Sequence, residues 1–142
     1  ENRLRQVVVL PVVNQDSIAM VRVKRPVIND TPLELPAGAL EKDEDVATGA
    51  ARELLEETGI KVTNLDRFIS MAPISVSSTR NPNLSYIFKV DISEKEYVNR
   101  QPHDDEIYSV ERFAINDLAK KMASGEIYVS LTLAVLGIFL VR

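Results

Sequence analysis

Three glutamates, Glu53, Glu56 and Glu57, stand at i, i+3 and i+4 in a segment rich in Ala, Leu and Glu. On a helix advancing about 100° per residue they fall within an arc of about 100°, so the three carboxylates share one face. Like charges at these spacings repel by roughly a few tenths of a kcal/mol per pair. A bound divalent cation would neutralise them. Spacing alone leaves a second reading open, a solvated acidic face with Arg52 as partial counter-ion. The chain has no Cys and a single His, His103, which excludes thiol catalysis, Cys-ligated zinc and a multi-histidine site. Any metal here is expected on oxygen ligands, which points to Mg²⁺ or Mn²⁺.

The element carrying these acids is expected to be a helix over about residues 43–58, stopped by Gly59. Leu54, Ala47, Ala51 and Leu55 lie about 100–200° round from Glu53 and give the helix an apolar stripe beside its acidic edge. Before it, the β-branched run Gln6-Val7-Val8-Val9-Leu10-Pro11-Val12-Val13 and the segment Ser17-Ile18-Ala19-Met20-Val21-Arg22-Val23, joined through Asn14-Gln15-Asp16, read as a β-hairpin. A proline-punctuated loop spans residues 26–36. After the helix, strands are expected at about residues 67–75, 84–91 and 107–114, and helices at about 115–124 and 129–141. The order β-β-α-β-β-β-α-α implies a mixed sheet between helices, an α/β/α layer arrangement.

The 142 residues suit one domain, 1–142, and no repeat, low-complexity tract or Ser/Gly linker suggests another. A net charge of −4 means that no basic field covers the protein, so nucleic acid is not an expected partner. The run Glu1-Asn2-Arg3-Leu4-Arg5 lacks the apolar core of a signal peptide. The apolar stretch 127–141 holds Ser130, Thr132 and Gly137 and falls short of the ~20 residues of a membrane span; it reads as a buried helix. These features fit a cytoplasmic protein without membrane partners.

Gly38, five residues, Glu44, seven residues, then Arg52-Glu53-Leu54-Leu55-Glu56-Glu57-Thr58-Gly59-Ile60 resembles the Nudix box, G-x5-E-x7-R-E-U-x-E-E-x-G-U with U bulky and apolar. Every specified position is filled. The resemblance implies a Nudix α/β/α sandwich and a metal-dependent pyrophosphohydrolase. Water attacks one phosphorus of a pyrophosphate, and charge grows on the bridging and non-bridging oxygens, so cations are needed where that charge develops. By resemblance, Glu53 and Glu57 are direct metal ligands, Glu56 is a ligand or a water-mediated partner, and the backbone carbonyl of Ala37 points at a metal. Gly38 lets the loop approach metal and substrate closely. Arg52 and Glu44 brace the ligand helix.

The flanking segments Arg22-Val23-Lys24-Arg25-Pro26 and Leu33-Glu34-Leu35-Pro36-Ala37-Gly38 resemble the lead-in of the ADP-ribose and nucleoside-diphosphate-sugar pyrophosphatases. So do Asp104-Asp105-Glu106-Ile107-Tyr108-Ser109-Val110-Glu111, Ser124-Gly125-Glu126-Ile127 and Thr132-Leu133. In that branch an acidic loop supplies a metal ligand or the catalytic base, which makes Asp104, Asp105 and Glu106 the candidates. Arg25 is a candidate phosphate contact, since a guanidinium holds phosphate oxygens with two hydrogen bonds; a surface Arg at a strand end is the plainer reading. His103 stands beside the acidic loop, where it shuttles protons or is simply solvated.

Pro73 lies close to a proline that marks ADP-ribose preference in this branch, but the glycine and glutamate that usually follow are absent from residues 77–84. The branch also commonly carries an N-terminal β-rich segment that exchanges between subunits and holds adenine, which leaves room for a homodimer. Here about six residues precede the first strand, so either the nucleoside is held differently or an N-terminal segment is missing. The expected substrate is a small-molecule nucleotide, ADP-ribose or a nucleotide sugar, cleaved to a nucleoside monophosphate and a sugar phosphate. The alternatives are a Nudix nucleoside triphosphate pyrophosphatase and a non-catalytic nucleotide-binding Nudix module.

Overall fold

The computed structural model describes residues 5–142. The N-terminal run read for a signal peptide therefore lies, apart from Arg5, outside the described residues.

The β-branched runs form strands as expected. β1 (Gln6–Val13) and β2 (Ser17–Val23) make the hairpin, with Asn14 and Gln15 at positive φ in its turn. Their pairing is short, limited to Val12↔Ile18 and Val13↔Ser17, after which the two strands diverge. The chain from β3 (Leu33–Glu34) to β4 (Ala37–Ala39) fills the gap between them. Glu34 pairs with Val21 of β2, and Ala37 and Gly38 pair with Val8 and Val7 of β1. The supposed loop over residues 26–36 thus contains a one-turn 3₁₀ helix at Pro26–Ile28 and a strand, and delivers Ala37 and Gly38 to the middle of the sheet.

β5 (Phe68–Ile74), β6 (Ser85–Ile92) and β7 (Ile107–Ala114) complete seven strands. β6 lies parallel to β1 along its whole length, while the other pairings are antiparallel, so the sheet is mixed. β7 takes the outer edge of β2, and β5 the outer edge of β6.

Alternation of side chains across the sheet separates two cores. Val7, Val9, Ala19, Phe88 and Val90 face α1 (Val46–Thr58), whose Ala50 and Leu54 are fully buried among them. Val8, Leu10, Ile18 and Met20 face α3 (Ile115–Ala123) and α4 (Ser130–Val141) through Leu118, Val135, Leu136 and Phe139. Helices on both faces make the expected α/β/α sandwich. A short helix, α2 (Glu94–Val98), was not expected; it starts at a capping box in which Ser93 and Glu96 each accept the other's backbone N–H. No helix among the described residues is long and apolar enough to cross a membrane. In α4 only one stripe, Thr132, Val135, Leu136 and Phe139, is fully buried, so the segment read as a buried helix covers the sheet with one face.

Candidate active site

α1 begins later than its composition suggests. Asp45 caps it by accepting the N–H of Thr48, and the helix ends where Gly59 takes φ 81°. Thr58 closes the last turn from inside, its hydroxyl donating to the Leu54 carbonyl at 2.6 Å.

The buried face of α1 differs from the sequence expectation. Gly49, Ala50, Glu53, Leu54, Glu57 and Thr58 are buried, whereas Leu55 is only half-buried. The acids are therefore part of the face that meets the sheet. Glu53 and Glu57 are each only 7% exposed, while the Glu56 side chain is 41% exposed. The apolar stripe and the acidic edge merge because β4 offers backbone rather than side chains at this point. The Ala37 N–H donates to Glu57 Oε1 at 3.1 Å, and a Cβ on Gly38 would lie 2.2 Å from Glu53 Oε2. A glycine is what allows the strand to approach the carboxylate this closely.

Arg52 and Glu44 brace the site. The guanidinium donates through Nε and Nη2 to the two oxygens of Glu44, both at 2.8 Å, and through Nη1 to Glu53 at 2.9 Å and Glu56 at 3.3 Å. It also reaches the Ala39 carbonyl at 3.2 Å, fastening α1 to the strand that holds Gly38. The fork holds the Glu44 carboxyl down at about 2 and raises the guanidinium. Burial raises Glu53, with Arg52 opposing it. Burial pushes Glu57 up to about 8, reinforced by Glu53, Glu106 and Glu34. Among the described residues Glu57 has no ion pair, and its one hydrogen bond is the Ala37 N–H.

The acidic loop is tied to the far end of α1. Gln101 N donates to the Gly59 carbonyl and Asp104 N to the Glu56 carbonyl, both at 2.8 Å. Lys24 N donates to the Glu106 carbonyl at 2.9 Å. Of the three loop acids, Glu106 is the one whose charge is felt at Glu53, Glu57 and Arg25. Asp104, Asp105 and Glu106 are all exposed, and the His103 ring lies 2.9 Å from the Asp104 carbonyl.

Arg25 is not free for phosphate in this arrangement. It holds Glu34 in a bidentate pair at 2.9 Å, with its own side chain 51% exposed. It lines a cleft of about 490 Å³ with Lys24, Pro26, Asn29, Asp30 and Thr31. Glu34, 8% exposed, is a site residue that sequence reasoning missed. The available signal was its place between Leu33 and Leu35, which on a strand turns Glu34 to the opposite face from both.

As the side chains stand, no group of three acids among the described residues encloses a cation site; Arg52 draws Glu53 and Glu56 toward itself. The donor chemistry nonetheless fits a hard divalent cation. Two buried carboxylates face a strand made open by Gly38, and Glu57 lacks the compensating charge that burial demands.

The family model of the NUDIX domain matches residues 2–132. The chain belongs to the Nudix family. Over 125 residues it is 30% identical to an ADP-ribose pyrophosphatase of Bacillus subtilis (strain 168), covering 86% of this chain and 64% of that protein. Over 66 residues it is 41% identical to a methanol dehydrogenase activator of Bacillus methanolicus, covering 46% of this chain and 36% of the relative. A 72-residue match to phosphatase NudJ of Escherichia coli (strain K12) is 39% identical and covers 51% of this chain and 44% of NudJ. The chain thus spans between about a third and two-thirds of the length of these relatives. Among solved structures, a Nudix hydrolase from Nitrosomonas europaea superposes with a TM-score of 0.73 at 21% identity over 97% of this chain and 88% of that one. An ADP compounds hydrolase gives 0.75 at 16% identity over 98% of this chain and 71% of that one. These likenesses establish the Nudix fold.

Proposed function

We propose that this Nudix chain is a divalent-metal-dependent pyrophosphohydrolase acting on ADP-ribose or a nucleotide sugar. The observation that carries the reading is the pair of buried carboxylates, Glu53 and Glu57, pressed against the backbone of Ala37 and Gly38. Burying two acids side by side costs stability unless a cation compensates them, so the arrangement makes sense as a ligand set. Glu53 and Glu57 would hold Mg²⁺ or Mn²⁺, with Glu56 and the Ala37 carbonyl completing the protein's share. Bound there, the cation would supply charge stabilisation at the phosphate oxygens.

The chain's own residues divide the remaining work. Arg52 and Glu44 fix the rotation of α1, and Gly38 keeps the approach to Glu53 open. Water adds to one phosphorus, the bond to the bridging oxygen breaks, and a nucleoside monophosphate and a sugar phosphate leave. Glu106 is our candidate to accept the water's proton, because its charge is felt at both Glu53 and Glu57; Asp105, next to it on the exposed loop, is the second candidate. Arg25 would reach the substrate phosphates by exchanging Glu34 for phosphate oxygens.

The substrate class is supported by the likeness to the Bacillus subtilis protein named an ADP-ribose pyrophosphatase. The acidic balance of the chain suits a small nucleotide better than a nucleic acid, and the lack of cysteine suits the reducing cytoplasm. A panel of ADP-ribose, nucleotide sugars, dinucleoside polyphosphates and nucleoside triphosphates, incubated with Mg²⁺ and read as phosphate products, tests the reading. Turnover of ADP-ribose or a nucleotide sugar above the others is expected. Preference for triphosphates would replace the substrate class, and no turnover together with nucleotide binding that ignores EDTA would make the chain a binding module.

A further inference from the structure

Beside the acidic loop, the ladder between β2 and β7 is irregular. It runs evenly from Ser17↔Ala114 to Arg22↔Ser109 and then steps to Val23↔Ile107. Tyr108 is the extra residue, which makes this point a β-bulge, a device that re-aims a side chain out of regular alternation. The two sides of the bulge confirm the break in alternation. Ile107 packs with Val21 and Val23, whereas Ser109 turns to the opposite side and meets Glu111; in an unbroken strand residues 107 and 109 would share a face. The Tyr108 side chain is left 63% exposed, outside every core cluster and without a hydrogen bond or ring contact among the described residues.

This bulge is held in place. Glu111 Oε2 accepts from Arg22 Nε and from Ser109 Oγ, both at 2.8 Å, so one carboxylate grips both strands at the irregular step. Arg22 Nη1 also donates to the Thr31 carbonyl at 3.1 Å, linking the bulge to the loop that carries Arg25. One step further along, the Lys24 N–H holds the Glu106 carbonyl. Tyr108 therefore stands two residues from Glu106, whose carbonyl is bonded to the residue before Arg25.

An exposed aromatic ring two residues from Glu106 offers a planar group a face to stack on, at small entropic cost because only two torsions need be fixed. We infer that Tyr108 is the residue against which the substrate's nucleobase stacks, so that the bulge sets selection for nucleoside-bearing pyrophosphates over base-free ones. The inference rests on the pyrophosphohydrolase reading above. Stacking also explains why the ring is spared from the core while its neighbour Ile107 is buried.

The experiment compares wild type, Tyr108→Phe and Tyr108→Ala by titration calorimetry with AMP, UMP and ribose 5-phosphate, alongside turnover of ADP-ribose with Mg²⁺. Stacking predicts that Tyr108→Ala weakens AMP and UMP binding about tenfold, Tyr108→Phe leaves it near wild type, and ribose 5-phosphate is unaffected by either. The corresponding turnover change is a rise in KM with kcat nearly constant. Equal weakening of the base-free ligand, no change for Tyr108→Ala, or a wild type that binds neither nucleotide would overturn the inference. Wild-type turnover tests the pyrophosphohydrolase reading separately: an active enzyme indifferent to Tyr108→Ala defeats the stacking role alone, and an inactive protein that still binds AMP through Tyr108 defeats the activity alone.

Discussion

Arg52 grips Glu44 with a two-pronged bond, 2.8 Å on each prong, eight residues back along the chain, and spends its remaining nitrogen on Glu53 and Glu56. One guanidinium thereby sets the position of two of the acids on α1. Arg52→Ala is expected to cost about 2 kcal/mol of stability, since it strands a Glu44 side chain that is only 9% exposed. It should also lower kcat by roughly 10–100-fold, as loss of a residue that orients metal ligands does. Arg52→Lys keeps the charge but not the fork, so it should recover more stability than turnover. Urea unfolding paired with steady-state kinetics checks both; full activity in Arg52→Ala would show that the brace is dispensable.

The same pairing predicts an acid limb in the stability profile. Arg52 holds the Glu44 carboxyl at about 2, and Arg67, bonded twice to Glu96 at 2.8 Å, holds the Glu96 carboxyl at about 2, against an ordinary value of 4.5 for each. Folded-state values below the unfolded ones mean that the ionised forms favour folding. The stabilisation is complete above about pH 4.5 and is lost as pH falls from there toward about 2. Each pair should contribute on the order of 2 kcal/mol at neutral pH after allowance for solvent screening. Glu44→Gln and Glu96→Gln should therefore be less stable than wild type at pH 7 and converge on it near pH 2, and denaturant melts across that range measure the convergence.

Gly38→Ala separates function from folding. Gly38 does not take a positive φ, so an added methyl finds an ordinary backbone, and its clash is with the carboxylate end of the Glu53 side chain rather than with backbone. The fold should change by less than about 1 kcal/mol. The Glu53 carboxylate must move, and kcat should drop roughly 10–100-fold with a weaker response to added Mg²⁺. Thermal melts and a Mg²⁺ titration of activity would expose the opposite pattern, a destabilised protein of normal activity.

Gly59→Ala should behave in the reverse manner. Its φ of 81° strains any other residue, and a Cβ there would meet the Gln101 carbonyl oxygen, a backbone atom that cannot swing aside. A loss of at least about 2 kcal/mol is expected, together with weaker protection of the Gln101 and Asp104 amides that bond to Gly59 and Glu56. Hydrogen exchange at those two amides measures the effect.

The features legible in the sequence are those carried by long runs and strong stop signals. The hairpin follows from β-branched runs, the glutamate helix from its Ala, Leu and Glu content and its glycine stop, the later strands from the turn-rich and polar segments between them, and the last helix from its apolar run. β3 and β4 hold two and three residues, too few to show a period, and they exist because β1 and β2 diverge, a tertiary event. α2 left a local trace, the Ser93 and Glu96 capping box, that its five residues made easy to pass over. At the site, helical geometry gave the shared face of Glu53, Glu56 and Glu57, but burial split them: Glu53 and Glu57 go inward and Glu56 stays at the rim. The sheet decides that division, through the backbone of Ala37 and the missing side chain of Gly38. The Arg25–Glu34 pair was not legible because Glu34 reaches Arg25 through the pairing of the two-residue β3 with β2, a tertiary contact that leaves no local pattern.

The role of Glu57 as a metal ligand is tested most directly by Mg²⁺-dependent hydrolysis of ADP-ribose by wild type and Glu57→Gln, with folding of both followed by circular dichroism. The substitution keeps the size of the side chain and an oxygen to accept the Ala37 N–H, but removes the ionisable carboxyl that a cation would bind. An unchanged fold and a kcat lower by on the order of 10³-fold are expected. Turnover by Glu57→Gln at the wild-type rate would contradict that role.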